Sequence, residues 1–389
     1  MKRIAFVATR EPEYSRVAIT KRELNRFYEL DQFVCSSKSY PLRMIVIAFK
    51  LLLSWMTFRL RKNEAIFVGF LAQPILPLVR LLYRGPIVSD AYFSLYDAMV
   101  NDKQKVKAKS LTGRICYWLD RFMLRHSELC FTDTQQHVDY LRSFFKVPHA
   151  NISRLWISAE SQPLKNQKTS FEETNASNPT FHVFFWGGFI PLQGVDTIVR
   201  AASLLAEDNV QFTIFGTGQT LAECQELQTE LGVHNLDFKG WQSPHMITKQ
   251  AQESHVALGI FGTTEKAARV IPNKAYEALA MGIPLITRRS PAASELLLED
   301  EHCLMVDSGS PQQLAEKIRW AKSNYDQTRC IANNGQQLFQ NACSPKIVGQ
   351  MIRQQIDKLL AAQLADETKR TVTDSRDDRS TVQAVDEVR

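Results

Sequence analysis

The stretch Arg269 to Thr287, RVIPNKAYEALAMGIPLIT, sets an Asn-Lys pair before a short helical run with one carboxylate, Glu277, then turns on Met-Gly into an apolar strand. Asn273 suits an N-cap, because its side-chain oxygen can accept from a free backbone N–H, so a helix is expected from Lys274 to about Ala280. The free N–H groups and positive dipole end of such a helix attract anions. Lys274 in the first turn is unfavourable unless an anion compensates, and local conflicts of this kind mark functional sites. A lysine that merely points into water is the other reading, and spacing alone leaves both open. Two glycine loops suit the same ligand chemistry. WGGFIPLQG places Gly187 and Gly188 at a strand end and Gly194 before a helix, and IFGTGQ repeats the arrangement at Gly216 and Gly218. Glycine there lets backbone N–H groups approach a phosphate. The G-x-G-x-x-G spacing of a dinucleotide site is absent.

These loops need strands to hold them. Short runs rich in Val, Ile and Phe alternate with helical patterns along the chain, which predicts parallel sheets with helices on both faces. The strand candidates of the first half are RIAFVAT, AIFVGF from Ala65, PIVSDA from Pro86, LCFTDT from Leu129 and ISRLWI. Those of the second half are FHVFFWGGF, VQFTIFGTG, LDFKGW, VALGIFG, IPLIT and CLMVD. Residues 161–179 are polar, turn-rich and aperiodic, and read as a linker. The expected organisation is a domain over 1–160, a second over 180–345, a helix over 346–364, and a tail over 365–389 whose lack of apolar periodicity reads as disorder.

Ligands of such domains bind beyond the carboxyl ends of the strands. Arg10 and Arg16, in the loop after the first strand, are expected to face this cleft and to meet an anionic acceptor or phosphates. Asp90, at a strand end, could orient an acceptor hydroxyl or simply cap a helix; Tyr96 and Asp97 stand behind it as candidates. His126, His137 and His149 have no partner spacing and read as packed or exposed.

Composition bounds the class. Of 389 residues, 44% are apolar and 23% charged, as in ordinary globular proteins. The seven cysteines are scattered without C-x-x-C, which suggests neither a zinc site nor a disulfide framework and fits a reducing cytoplasm. The apolar run in MKRIAFVATR is too short for a signal-peptide core and reads as a buried strand. Charge is uneven: residues 1–170 hold 27 Lys and Arg against 14 Asp and Glu, whereas the remainder holds 20 against 27. The basic half, densest at Lys103, Lys105, Lys107 and Lys109, suits an anionic surface or ligand. No nucleic-acid motif accompanies it, so nucleic acid is not expected as a partner. Met44 to Leu60 has 13 apolar residues in 17, interrupted by Lys50. Arg43, Lys50, Ser54, Thr57 and Arg61 fall on one helical stripe, so this is an amphipathic helix whose broad apolar face packs on a sheet or rests in part on a membrane.

The second half, about Phe181 to Lys322, resembles the nucleotide-sugar domain of retaining GT-B glycosyltransferases of the glycosyl transferases group 1 family. The resemblance rests on the glycine turn with GVDTIVRAA, FTIFGTGQ, LDFKGW, ESHVALGIFG and NKAYEALAMGIPLITRRSPAASELL, in that order. The first half fits the family's acceptor domain through FVATREPEYSR and VSDAYFSLYD. The fold implied is α/β, GT-B, with two tandem Rossmann-like doubly wound domains facing across a cleft. The donor implied is a nucleotide-diphosphate sugar, with no separate cofactor and no metal, since Asp-x-Asp does not occur in the second domain. The resemblance puts Glu277 on the nucleotide ribose, Phe238 to Gly240 with Lys239 near the base, and Arg269 through Asn273 against the donor sugar and diphosphate.

Two diphosphate-binding cations common in the family, an arginine and a lysine, are replaced by Gly188 and Gln193. A glutamate eight residues before Glu277 is replaced by Arg269. The expectation is that Lys274, with Arg269 beside it, supplies the missing positive charge. A sugar or lipid-linked acceptor at the inner face of a membrane, as in surface polysaccharide assembly, is the implied setting. A GT-B sugar-nucleotide epimerase and a non-catalytic GT-B partner subunit are the alternatives, and the oligomeric state stays open.

Overall fold

The computed structural model describes residues 1–71, 73–102, 105–160 and 180–386, with side chains to Ala365. The linker expected at 161–179 lies outside the described residues, as does Lys103.

The first sheet is built from β1 (Arg3–Val7), β2 (Glu29–Phe33), β3 (Ala65–Val68), β4 (Ile87–Asp90), β5 (Leu129–Thr132) and β6 (Ile152–Arg154), all parallel, in the order β2-β1-β3-β4-β5-β6. Every residue of β3, β4 and β5 is buried, so these strands read as unbroken apolar runs. β2 escaped the sequence reading. Its segment, ELDQF, is an edge strand paired only with β1 and buries only Phe33, so it lacks the apolar run by which a central strand is recognised. Helices α1 (Ser15–Leu24), α2 (Tyr40–Met56), α3 (Leu76–Leu82), α4 (Leu111–His126) and α5 (Gln135–Phe144) connect the strands.

The second sheet holds β7 (Phe181–Trp186), β8 (Val210–Phe215), β9 (Leu236–Phe238), β10 (Val256–Leu258), β11 (Leu285–Arg288) and β12 (Leu304–Val306), again parallel, in the order β12-β11-β10-β7-β8-β9. Its helices are α6 (Val195–Leu204), α7 (Leu221–Glu230), α8 (Pro244–Gln252), α9 (Glu265–Arg269), α10 (Asn273–Met281), α11 (Pro311–Ser323) and α12 (Tyr325–Leu338). Each sheet is covered by an apolar cluster on both faces. The molecule is therefore α/β, with two doubly wound domains.

The last helix, α13 (Pro345–Asp386), leaves the second domain and packs Val348, Ile352, Ile356 and Leu360 into a core cluster of the first. Tyr28 donates from its hydroxyl to Asp357 Oδ1 at 3.1 Å to hold it there. The tail from 365, expected to be disordered, continues this helix to Asp386. The chain has no proline or glycine after Gly349, so nothing in it breaks the backbone ladder.

α2 corrects the simplest amphipathic picture. Its polar positions Arg43 and Ser54 are buried beside Ile47 and Leu51. Arg43 donates from Nε to the Thr9 carbonyl at 2.8 Å, and from Nη1 to Glu11 at 2.6 Å and to the Ser37 carbonyl at 2.5 Å.

Candidate functional site

The strand ends of the two domains meet around a cavity of about 430 Å³, lined from the first domain by the segment after β4 and by His137, and from the second by the β7 turn and the start of α10. The size is that of a small-molecule site. β7 delivers Trp186 to the rim, and Gly187 turns the chain with φ 150°. A Cβ on Gly187 would lie 2.8 Å from Lys274 Nζ, so only glycine leaves room for that ammonium. The turn then runs through a short 3-10 segment, Pro191–Gln193, into α6.

α10 begins one residue earlier than expected. Pro272 is the extended residue before the helix and makes no side-chain cap, so Asn273 is the first helical residue and not the N-cap. Its Oδ1 instead accepts from the Tyr92 hydroxyl across the cleft at 3.0 Å. Lys274 folds inward and is 5% exposed. Its Nζ donates to Gln193 Oε1 at 2.5 Å and lies 3.4 Å from the centre of the Phe185 ring. An ammonium has three donors, so this one retains capacity for an anion. One turn on, Glu277 accepts from Trp186 Nε1 at 2.6 Å. Burial pushes Lys274 well below its ordinary pKa, opposed by the charge of Glu277. Burial likewise raises Glu277, opposed by the Trp186 hydrogen bond and by Lys274. A buried cation with one neutral partner is costly until an anion arrives.

The remaining expected residues divide. Gly187, Gln193, Asn273, Lys274 and Glu277 line the cavity together. Around Gly188 the space for a Cβ is open. Gly216 and Gly218 do not line it. A Cβ on Gly216 would overlap the Gly187 carbonyl, and one on Gly218 would lie 2.5 Å from the Phe189 carbonyl, so both glycines serve close packing of backbone on backbone. Lys239 follows β9 outside the cavity, half exposed and paired with Asp237 at 3.1 Å.

Arg269 is not free for a diphosphate. Its guanidinium donates to Asp97 Oδ1 at 3.1 Å and stacks 3.8 Å above Tyr140, because the first domain presents an acid and an aromatic ring there. Asp90 and Arg16 are withdrawn from the cleft into each other, with a two-pronged pair at 2.7 and 2.9 Å. Asp90 also accepts from the Tyr92 N–H at 3.2 Å, which leaves it unsuited to an acceptor hydroxyl. Arg10 pairs with its neighbour Glu11 at 3.1 Å and lies over Tyr14.

Three features around the cavity were not found from sequence. Asp120, buried on α4, accepts from Ser94 Oγ, Tyr96 N, Leu95 N and Gln73 Nε2 at 2.8 to 3.2 Å, and so shapes the segment after β4. Burial pushes its carboxyl up to about 6 in spite of these bonds. Lys266 reaches from α9 to Asp102 at 3.3 Å. His137 packs at the cavity with Nδ1 2.7 Å from Asp133 Oδ1 and 2.9 Å from Thr132 Oγ1, while its Nε2 is buried without a partner. The spacing of Asp133 and His137, four residues apart at a helix start, was the available signal. Among the described residues no cluster of three or more His, Cys, Asp or Glu is placed to hold a metal ion.

Two parallel doubly wound domains meeting at their strand ends around a cavity with a buried lysine define the GT-B class of fold. Structural comparison agrees. Sucrose-phosphate synthase from Thermosynechococcus elongatus superposes with a TM-score of 0.72 at 13% identity, over 93% of this chain and 100% of that one. HepE from Anabaena, in a complex with UDP-glucose, gives 0.66 at 14% identity, over 92% and 100%. Residues 166–338 match the family described as glycosyl transferases group 1. The second domain is similar to that family, and the chain has the GT-B fold. A curated relative, the lipopolysaccharide core biosynthesis glycosyltransferase LpsD of Rhizobium meliloti (strain 1021), is 23% identical over 169 residues, which are 43% of this chain and 47% of that protein. The match thus spans about half the length of that relative.

Proposed function

We propose that the protein transfers a hexosyl group from a nucleotide-diphosphate sugar to an acceptor hydroxyl with retention, in the assembly of a surface polysaccharide or glycolipid. The observation that carries the reading is Lys274. It is a buried lysine at the start of α10, and it contacts Gln193, the position where the family resemblance puts a diphosphate-binding lysine. In this reading Lys274 and the α10 N-terminus offset the charge growing on the leaving diphosphate, the role of preorganised donors in phosphate-releasing chemistry, and no metal is needed. Glu277, oriented by Trp186, accepts from ribose hydroxyls, and the leaving phosphate takes the acceptor's proton. The glycosidic bond to the diphosphate breaks as the bond to the acceptor oxygen forms on the same face. The HepE complex with UDP-glucose makes UDP-sugars the first donors to try. The relative named for lipopolysaccharide core synthesis favours an amphiphilic acceptor at the inner face of a membrane, with the enzyme cytoplasmic.

The test is a thermal-shift screen with nucleoside diphosphates and their sugars, since a ligand that binds only the native state raises its melting temperature. A selective rise with one nucleotide sugar, lost in Glu277→Ala, is expected. No rise with any of them at millimolar concentration overturns the reading and favours a non-catalytic GT-B subunit. Conversion of the donor without an acceptor identifies an epimerase.

A further inference from the structure

One side of the first domain is apolar where a globular protein is normally polar. α2, α3 and α4 pack side by side over the first sheet and share a core through Ile47, Val79 and Met123. Outward, α2 exposes Leu42, Ile45, Phe49, Leu52, Leu53 and Met56, spaced by three and four residues in one stripe. Ile45 and Phe49 each keep 66% of their surface in solvent. On the neighbouring helices Leu81 of α3, which shares a hollow with Trp55 of α2, and Leu111, Ile115 and Trp118 of α4 are exposed as well. Single exposed apolar residues are ordinary, but a run across three neighbouring helices marks an interaction surface.

The rotation of α2 is fixed from inside. Arg43 is tied to Thr9, Glu11 and Ser37, so turning the apolar stripe inward would break three hydrogen bonds of a buried guanidinium. The charge around the stripe is mostly positive, although exposed Glu64 lies beside Trp55 and Leu81 and Arg59 pairs with Asp31 at 3.1 Å. α2 and α3 contain no acidic residue, and the sole acid of α4, Asp120, is buried. Lys105, Lys107 and Lys109 are exposed just before α4, Arg114 and Arg125 on it, and Arg59, Arg61 and Lys62 just after α2.

We propose that this face docks on an anionic lipid bilayer, with the α2 stripe and the exposed positions of α4 entering the boundary between headgroups and acyl chains and the lysines and arginines meeting lipid phosphates. A bilayer supplies both the apolar and the anionic partner that the face requires. A second copy of the chain does not, because a two-fold contact would set the basic rim against itself. Among the described residues no helix is long and apolar enough to cross a membrane, so the attachment is peripheral. Arg43 anchors the start of α2 to Thr9, just past the carboxyl end of β1, and Asp102, which lines the cavity, stands three positions before Lys105 in the sequence. Docking therefore brings the first-domain side of the cavity toward the bilayer. That last step rests on the proposed amphiphilic acceptor, whereas docking itself does not.

The test is co-sedimentation of the full chain with vesicles of phosphatidylcholine alone and of phosphatidylcholine with phosphatidylglycerol, at low and high salt. Nucleotide-sugar binding is measured on the same samples. Pelleting with the phosphatidylglycerol vesicles only, weakened by salt, is expected. The double variants Ile45→Glu/Phe49→Glu and Lys105→Glu/Lys107→Glu each lose tenfold or more in vesicle affinity and keep wild-type donor binding. Absence of pelleting at low salt, or pelleting undiminished in Ile45→Glu/Phe49→Glu, overturns the proposal. So does a vesicle-free dimer that the same variant dissolves, which would assign the face to a second copy. Vesicle binding without donor binding counts against the proposed function alone, and donor binding without vesicle binding against docking alone.

Discussion

Lys274 is held where water scarcely reaches it, beside a neutral amide and an aromatic face. Burial disfavours its charged form and a diphosphate entering the cavity favours it, so binding is expected to be accompanied by proton uptake. In calorimetry, the apparent binding enthalpy of a nucleoside diphosphate is expected to vary with the ionisation enthalpy of the buffer. In Lys274→Met the dependence disappears and affinity falls by roughly ten- to a hundredfold, the worth of about 1.5–3 kcal/mol for a charge-assisted hydrogen bond. Unchanged affinity in a folded Lys274→Met would remove the lysine from the site. The Asn-Lys pair and Glu277 were legible in the sequence because helix start, charge and spacing are local. The fates of Arg269, Arg16 and Asp90 were not, because Asp97 and the Arg16–Asp90 pair are contacts between residues 172 and 74 positions apart. Charged side chains choose partners by proximity in space, which spacing along the chain does not record.

Single elements carry the shape of the site. α4 holds Asp120 under the segment after β4, where four donors converge on its carboxylate. Asp120→Asn turns an N–H toward those donors and is expected to cost about 1–3 kcal/mol in urea unfolding, with donor binding weakened as that segment loosens. An equally stable Asp120→Asn protein would show that the cap is not needed.

The second sheet contributes a pH response. His255 is buried against Phe181, accepts from His182 N at 2.9 Å, and is pushed down to about 4 by burial and by the neighbouring His182. Its folded pKa lies below its unfolded value, so this stability is complete above about pH 6.5 and is lost as pH falls toward 4, on the order of 3 kcal/mol. Urea midpoints at pH 6.5 and 4.5 should differ less in His255→Asn than in the wild type; equal differences would place the acid sensitivity elsewhere. Among elements, the long apolar strands were legible and β2 was not, because an edge strand half in water has no reason to be apolar.

At the scale of the molecule, α13 joins the domains by apolar packing on the first, and polar contacts join them around the cavity. Asp97 receives Arg269, Lys266 reaches Asp102, and Thr134 Oγ1 donates to the Arg269 carbonyl at 2.5 Å. Glu295 of the second domain accepts from the Gln135 and Gln136 N–H groups at 2.6 and 2.9 Å, where the start of α5 favours a carboxylate. The polar part of this junction is the part that opens most readily. In Asp97→Asn/Glu295→Gln, amide exchange at the start of α5 and along α9 is expected to rise about tenfold or more, with β3 and β7 still protected. Exchange that stays as slow as in the wild type would mean that apolar contacts, such as Trp156 in the second domain's core cluster, hold the junction unaided.

The sequence by itself determined the two parallel sheets, the glycine turn at Gly187, and the Asn273–Glu277 segment as the chemically loaded helix start. These follow from period, apolar runs and turn residues read within a few positions of one another. Only the tertiary structure decided that Lys274 contacts Gln193, that Arg269 belongs to Asp97, that His137 lines the cavity while Asp120 holds the segment after β4, and that α2 turns its arginine inward and its leucines out. Each of these depends on which distant group arrives first beside a side chain, and burial gives that group the deciding energy.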